Sequence, residues 1–149
     1  MPIITTPDQT ELYVKDWGQG SPVVLIHGWP LSALAWEPQV SVLQAAGYRV
    51  VAYDRRGFGR SDKPESSYSY DVLADDLEGV MAQCGLQDVT LVGFSMGGGE
   101  AARYITRHGE SRLHSVVFAA AVPPCLMKSA DNPDGPLTSE AAQEKRQAL

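Results

Sequence analysis

Apolar runs of strand length recur along the chain, separated by stretches of mixed polarity. Residues 23–26 are continuously apolar, as expected of a strand whose two faces are both covered. The other runs that predict strands are residues 12–17, 48–53, 89–92 and 113–119. Glycine-rich or proline-rich segments follow several of these runs and predict turns.

The stretches between these runs show helical spacing. Apolar residues of the segment 73–84 form one stripe, and the other face of that helix holds Asp75, Asp76 and Glu78, which we expect to face solvent. Further helices are predicted from Trp36 to a stop at Gly47, after the strand at 89–92 as far as His108, and after a cap at Thr138 or Ser139.

Strands that alternate with helices predict an α/β fold. The expected architecture is a mostly parallel sheet with helices on both faces and right-handed crossovers. Ligands of such sheets bind outside the carboxyl ends of the strands. Two segments follow strands at that edge, namely residues 27–30 and Ser95. They are therefore the first candidates for a functional site.

Ser95 lies in the pentapeptide Gly93-Phe94-Ser95-Met96-Gly97, between a predicted strand and a predicted helix. In that context a serine occupies a sharp strand-to-helix turn, and its hydroxyl points toward substrate. Gly93 and Gly97 would let the strand and the helix approach closely, where a Cβ would clash. Ser95 is thus a candidate nucleophile, and the alternative is a purely structural turn.

A serine nucleophile needs a base, a group that orients the base, and hydrogen-bond donors for the oxyanion. The first donor expected here is the backbone N–H of Met96, at the positive end of the helix that follows Ser95. The second should come from the loop after residues 23–26, where the N–H of Trp29 is the best candidate and Gly28 shapes the loop.

None of the three histidines is a convincing base for Ser95. His108 ends the same helix, and at about 1.5 Å per residue it would lie nearly 20 Å away. His114 begins a parallel strand and therefore lies at the opposite edge of the sheet. His27 is at the correct edge, and it is either a base or, as we favour, a packed and hydrogen-bonded part of the loop.

Other marked residues have structural interpretations that we favour. The segment 54–61 resembles a phosphate loop only loosely, and a tight turn held by ion pairs explains it better. Trp29 and Phe94 either line an acyl pocket or contribute to packing. Glu100 and Arg103 are expected on the helix surface.

Composition narrows the functional classes. The chain has 149 residues, 44% of them hydrophobic and 20% charged, and a net charge of −6. These values fit one globular domain and argue against nucleic acid or an anionic membrane as a partner. No apolar run reaches the length of a membrane span, and the start of the sequence lacks the pattern of a secretory signal. Cys84 and Cys125 lack metal-ligand spacing, so we expect no metal and a cytoplasmic protein with free thiols.

Three segments together resemble the α/β-hydrolase fold, namely residues 27–30, 53–61 and 92–100. The resemblance is strongest to the cofactor-free bacterial haloperoxidase, perhydrolase and aryl esterase branch. It implies that Ser95 is the nucleophile and that Trp29 and Met96 form the oxyanion hole. It also implies that substrates are small carboxylic esters, that hydrogen peroxide can cleave the acyl-enzyme to a peracid that oxidises halide, and that no cofactor is required.

The sequence departs from that branch in extent, because the family's acid and histidine follow on later strands. We therefore expect the N-terminal half of a hydrolase, with residues 1–122 in the core and residues 123–149 starting the cap. Residues 113–119 would then form an apolar sheet edge, which predicts a homo-oligomer or a complementing C-terminal chain.

Two functions remain open at this point. One is an esterase or perhydrolase that is impaired when the chain is alone. The other is a non-catalytic binding or assembly module that keeps only the fold. An epoxide hydrolase or dehalogenase is disfavoured, because those relatives carry a carboxylate where Ser95 stands.

Overall fold

A computed structural model describes residues 3–65, 67–122 and 126–147. Its strands are β1 (Ile3–Thr5), β2 (Glu11–Trp17), β3 (Pro22–Ile26), β4 (Arg49–Tyr53), β5 (Val89–Phe94) and β6 (Leu113–Ala119). They form one sheet in the order β1-β2-β4-β3-β5-β6. Strands β3 to β6 pair in parallel, whereas β1 with β2 and β2 with β4 pair antiparallel. The predicted mostly parallel sheet is confirmed. Strand β1 was not predicted, because three residues are too few to show an alternation of apolar and polar side chains.

The described helices are α1 (Glu37–Ala45), α2 (Tyr70–Gln83), α3 (Met96–His108) and α4 (Ser139–Gln147), and a 3-10 turn (Ala33–Trp36) precedes α1. Helix α2 begins after Ser69, whose side chain accepts a hydrogen bond from the N–H of Val72. At α4, the Thr138 hydroxyl accepts from the N–H of Ala141, as expected of a cap. None of the described helices combines the length and the apolar character needed to cross a membrane.

The core forms two clusters, one on each face of the sheet. The larger cluster packs α2 and α3 against the sheet through residues such as Leu77, Met81 and Tyr104. The smaller cluster packs Val40 of α1 against Val23 and neighbouring strand residues. The alternation of the strand side chains between these clusters explains why β3 and β4 are buried on both sides. Helices therefore cover both faces, as predicted.

The expectation that the acidic face of α2 is entirely solvated is wrong for Asp76. Its side chain is 2% exposed, and its two carboxylate oxygens accept from the guanidinium of Arg56 at 2.6 and 2.7 Å. Arg56 is itself buried, so it requires a buried counter-ion. Asp75 and Glu78 are partly exposed and pair with Arg107 and Arg112.

Strand β6 ends the sheet and pairs with β5 alone among the described strands. Val117 and Phe118 on this strand are 47% and 52% exposed. On the α1 side of the sheet, an open groove of about 650 Å³ is lined by Val92 and Val117 together with apolar residues of α1 and β3. The predicted apolar edge is present. Cys125, which we expect to be a free thiol, lies outside the described residues.

Candidate active site

The chain turns sharply at Ser95, between the last residue of β5 and the first residue of α3. Ser95 has φ 52° and ψ −117°, outside both strand and helix geometry. A non-glycine residue in such a conformation costs on the order of 1–3 kcal/mol, so the surrounding contacts must hold it. Its N–H donates to Ala119 at 3.1 Å, and its carbonyl accepts from Gly98 and Val122 at 3.0 Å each. The predicted corner is therefore present and tied to the end of β6.

Gly93 and Gly97 allow strand and helix to meet at this corner. A Cβ on Gly93 would lie 2.6 Å from the carbonyl oxygen of Gly97. A Cβ on Gly97 would lie 2.4 Å from the carbonyl oxygen of Ile26, at the end of β3. Both distances are shorter than any real contact, and the opposing atoms are backbone. A side chain at either position would therefore clash with backbone, which explains why both residues are glycine.

The loop after β3 packs directly onto the serine. A Cβ on Gly28 would lie 3.1 Å from the Cβ of Ser95, so only a small residue leaves the loop this close. Trp29 follows, 54% exposed and joined to Pro30 by a cis peptide bond. Within the described residues, neither the N–H of Trp29 nor that of Met96 donates a hydrogen bond. The two amides that the sequence predicts as oxyanion donors therefore have no acceptor among the described residues.

His27 is a structural part of this loop. Its ring is 1% exposed, its Nδ1 lies 2.9 Å from the carbonyl oxygen of Gly28, and its Nε2 accepts from the N–H of Arg55 at 3.1 Å. The neutral ring with its proton on Nδ1 satisfies both contacts. Burial, and then the positive charge of Arg55, lower the pKa of His27 to about 4. With both nitrogens engaged, His27 has no free acceptor for the proton of Ser95.

The other two histidines lie away from Ser95. His108 ends α3, places Nε2 2.8 Å from Asp75 and stacks on Tyr104. His114 is the second residue of β6 and places Nδ1 3.2 Å from Asp88. Among residues 3–65, 67–122 and 126–147, no histidine is positioned to take a proton from Ser95.

The segment after β4 is a tight turn held by ion pairs, as predicted, because Arg55 pairs with Glu100 and Arg56 with Asp76. Contacts to backbone groups add to these pairs. The Asp54 carboxylate accepts from the N–H groups of Ala33 and Arg60 at 2.7 and 2.8 Å. The Ser61 hydroxyl donates to the carbonyl oxygen of Asp54. This use of Asp54 joins the turn to the 3-10 segment and explains the motif without a phosphate ligand.

The expectation that Glu100 lies on the helix surface is wrong. Its side chain is fully buried, and it accepts from Nε of Arg55 at 2.7 Å and from the hydroxyl of Tyr53. Arg103 is partly exposed and pairs with Asp71. The burial of Glu100 could have been predicted from the small residues around it, over 97–102, because they indicate a closely packed helix face.

A small cavity lies near the corner. Its volume is about 210 Å³, and its lining residues are His27, Leu31, Ala35, Trp36, Gln39 and Phe94. Phe94 meets Trp36 edge to face, with ring centroids 6.4 Å apart. The structure brings Phe94 to this cavity, whereas Trp29 is not among the lining residues. In the described part of the chain, no three His, Cys, Asp or Glu residues are grouped so as to hold a metal ion.

Comparison with known proteins identifies relatives over nearly the whole chain. The sequence profile of the alpha/beta hydrolase fold matches residues 21–145. The chain is similar to the non-heme chloroperoxidase CPO-A1 of Kitasatospora aureofaciens, at 54% identity over 91% of this chain and 49% of that protein. It is also similar to the bifunctional esterase/perhydrolase DCH of Acinetobacter calcoaceticus, at 42% identity over 91% of this chain and 50% of that protein.

Two solved structures have the same architecture. The crystal structure of a bromoperoxidase from Bacillus anthracis matches with a TM-score of 0.90 and 52% identity, over 99% of this chain and 54% of that one. An esterase from Exiguobacterium antarcticum matches with a TM-score of 0.91 and 39% identity, over 98% and 54%. The chain spans about half the length of the curated relatives it matches.

Proposed function

The chain belongs to the alpha/beta hydrolase family, and from that premise we propose that it contributes the nucleophile and the oxyanion hole of a serine hydrolase. Its substrates are small carboxylic esters. The single observation that carries the proposal is the strained corner at Ser95, against which Gly28 of the preceding loop packs. The N–H groups of Trp29 and Met96, which follow Gly28 and Ser95 in the sequence, have no acceptor among the described residues. A purely structural turn would not need a non-glycine residue in this strained conformation.

The reaction is acyl transfer. The Ser95 hydroxyl oxygen attacks the ester carbonyl and loses its proton to a base, and the alcohol leaves with a proton. The N–H groups of Trp29 and Met96 donate to the oxyanion of the tetrahedral intermediate, and the N-terminus of α3 adds a favourable dipole. Phe94 and its cavity contact the substrate.

Hydrolysis and perhydrolysis share the acyl-enzyme. Attack by water releases a carboxylic acid, and attack by hydrogen peroxide releases a peracid, which can then oxidise a halide. Support for this second outcome is that relatives carry the names chloroperoxidase and esterase/perhydrolase. Every step at Ser95 is a transfer of an acyl group or a proton, and the released peracid is itself the oxidant of the halide, so we propose that the protein uses no cofactor.

We propose that the missing base reaches Ser95 from a second polypeptide segment, since the described residues offer none. That segment corresponds to the half of the relatives' length that this chain does not span. It would pair with the open edge of β6 and cover Val117 and Phe118. In this arrangement residues 1–122 are core, and residues 123–149, including α4, start the cap. The free, half-buried Cys84 is compatible with the cytoplasmic location that we propose.

Light scattering after size exclusion at low micromolar concentration tests this assembly. The edge of β6 is buried either in a complex with a complementing chain or in a dimer of this chain. Only the complementing chain supplies a new histidine. A stable, well-folded monomer contradicts the proposed pairing.

The second candidate function is a non-catalytic binding or assembly module. The absence of a base among the described residues favours it for the chain alone. Reaction with a fluorophosphonate probe separates the two functions, with Ser95→Ala as the matched control. Slow labelling that disappears in Ser95→Ala supports the hydrolase. No difference between the two proteins supports the binding module.

A further inference from the structure

Arg55 is a fully buried cation that contacts both sides of the proposed oxyanion hole. It follows β4, and its side chain is 0% exposed. Nη2 donates to the carbonyl oxygen of His27 at 2.9 Å, and Nη1 lies 3.7 Å from Sδ of Met96. Nε donates to Glu100 at 2.7 Å. One rigid guanidinium therefore joins the loop after β3 to the first turn of α3.

These two contacts concern the residues that carry the oxyanion donors. His27 begins the loop that carries one proposed donor, the N–H of Trp29, and Met96 carries the other. We propose that Arg55 is a positioning residue that sets the spacing between these two amides, and that Glu100 holds Arg55 in place. The inference rests on the proposed function for its catalytic consequence, whereas the contacts stand independently of it.

Glu100 is the matching counter-ion. Both of its carboxylate oxygens are used, one by Arg55 and the other by the hydroxyl of Tyr53. The aromatic ring of Phe58 lies 5.7 Å from the Arg55 guanidinium and 5.5 Å from the ring of His27, so the network is enclosed. Lysine could not replace Arg55, because a single ammonium lacks the planar fork that reaches separate acceptors at once.

The chain contains a matched control in the next residue. Arg56 forms a second buried pair, with Asp76, and the two side chains are 1% and 2% exposed. The remaining contacts of Arg56 are to Asp8 and to the carbonyl oxygen of Ser67. This pair is also an arginine with a buried carboxylate, and its hydrogen bonds within the described part of the chain reach neither of the two segments that carry the proposed donors.

The experiment compares two double variants of the full chain, Arg55→Met/Glu100→Met and Arg56→Met/Asp76→Met. Replacing both members of a buried ion pair with apolar residues avoids an unpaired charge and is often neutral for stability. Two quantities are measured. The first is hydrogen exchange of the Leu31 and Gly98 amides, one in each segment, which donate to the carbonyl oxygens of Gly28 and Ser95. The second is the rate of p-nitrophenyl acetate hydrolysis that Ser95→Ala abolishes.

The Arg55/Glu100 variant should exchange both segments at least about tenfold faster and lose about tenfold to a hundredfold in kcat at unchanged KM, because misplaced donors weaken only the transition state. The Arg56/Asp76 variant should leave both quantities at the wild-type value. Arg55→Lys, which keeps the charge and Glu100, should behave like the first double variant even if that variant folds poorly.

Unchanged exchange in the Arg55 variants, or an equal effect from the Arg56/Asp76 pair, would overturn the positioning role. A wild-type chain without any Ser95-dependent rate would instead refute the proposed function. The exchange comparison would then still decide whether Arg55 fixes the two segments.

Discussion

Acidification should destabilise the fold through His27, and replacing this residue should remove the effect. The ring is buried with both nitrogens hydrogen-bonded, and its pKa falls from 6.5 to about 4. Below pH 6.5 the unfolded chain binds a proton that the folded chain refuses. The stability that neutral His27 contributes is therefore fully present above the pKa of His27 in the unfolded chain. It is lost as the pH falls toward the pKa of His27 in the folded chain.

The magnitude follows from that difference in pKa. At about 1.36 kcal/mol per pKa unit, the contribution of His27 falls by about 3 kcal/mol between pH 7 and pH 4. Because the side chain is fully buried, solvent screening does not reduce this value much. In His27→Gln, whose amide can both donate and accept but does not titrate, the contribution should be absent.

Urea unfolding followed by circular dichroism, at several pH values between 7 and 4, measures this dependence. The test is the difference in pH dependence between wild type and His27→Gln, since every other titrating group is common to both proteins. The variant is expected to start less stable at pH 7 and to lose less on acidification. Equal slopes for the two proteins would refute the structural role of His27 in the loop.

Three further predictions concern the corner and the sheet edge. Ser95→Ala should abolish the trace hydrolysis of p-nitrophenyl acetate by the chain and leave its unfolding midpoint nearly unchanged; an unchanged rate would assign the activity elsewhere. Gly97→Ala should lower the free energy of unfolding by about 2 kcal/mol, because its Cβ would meet the carbonyl oxygen of Ile26, and a neutral effect in urea unfolding would contradict that contact. Val117→Lys, on the exposed edge of β6, should shift light scattering toward the monomer, whereas an unchanged assembly would place the interface elsewhere.

Much of the fold was predictable because it depends on local periodicity. The apolar run at 23–26 and the pentapeptide around Ser95 predict a buried strand and a strand-to-helix corner, and both are present. Strand β1 was not predictable, since three residues pair only through the contacts of β2.

The burial of Asp76 and Glu100 was not predictable from charge pattern. Each is acidic on an otherwise regular helix, and its partner arginine lies 20 or 45 residues earlier in the chain. Only the packing of α2 and α3 against the segment after β4 brings these charges together. The two segments that we propose to carry the oxyanion donors could be named from the sequence, but the guanidinium that joins them depends on this tertiary contact.

We propose that Ser95 attacks the substrate while the amides of Trp29 and Met96 stabilise the oxyanion. A crystal structure of the chain after reaction with a phosphonate ester tests it most directly. We expect phosphorus to be bonded to the Ser95 oxygen, with the phosphoryl oxygen about 3 Å from both amide nitrogens. A phosphonate bonded to another residue, or a phosphoryl oxygen that points away from both amides, would contradict it.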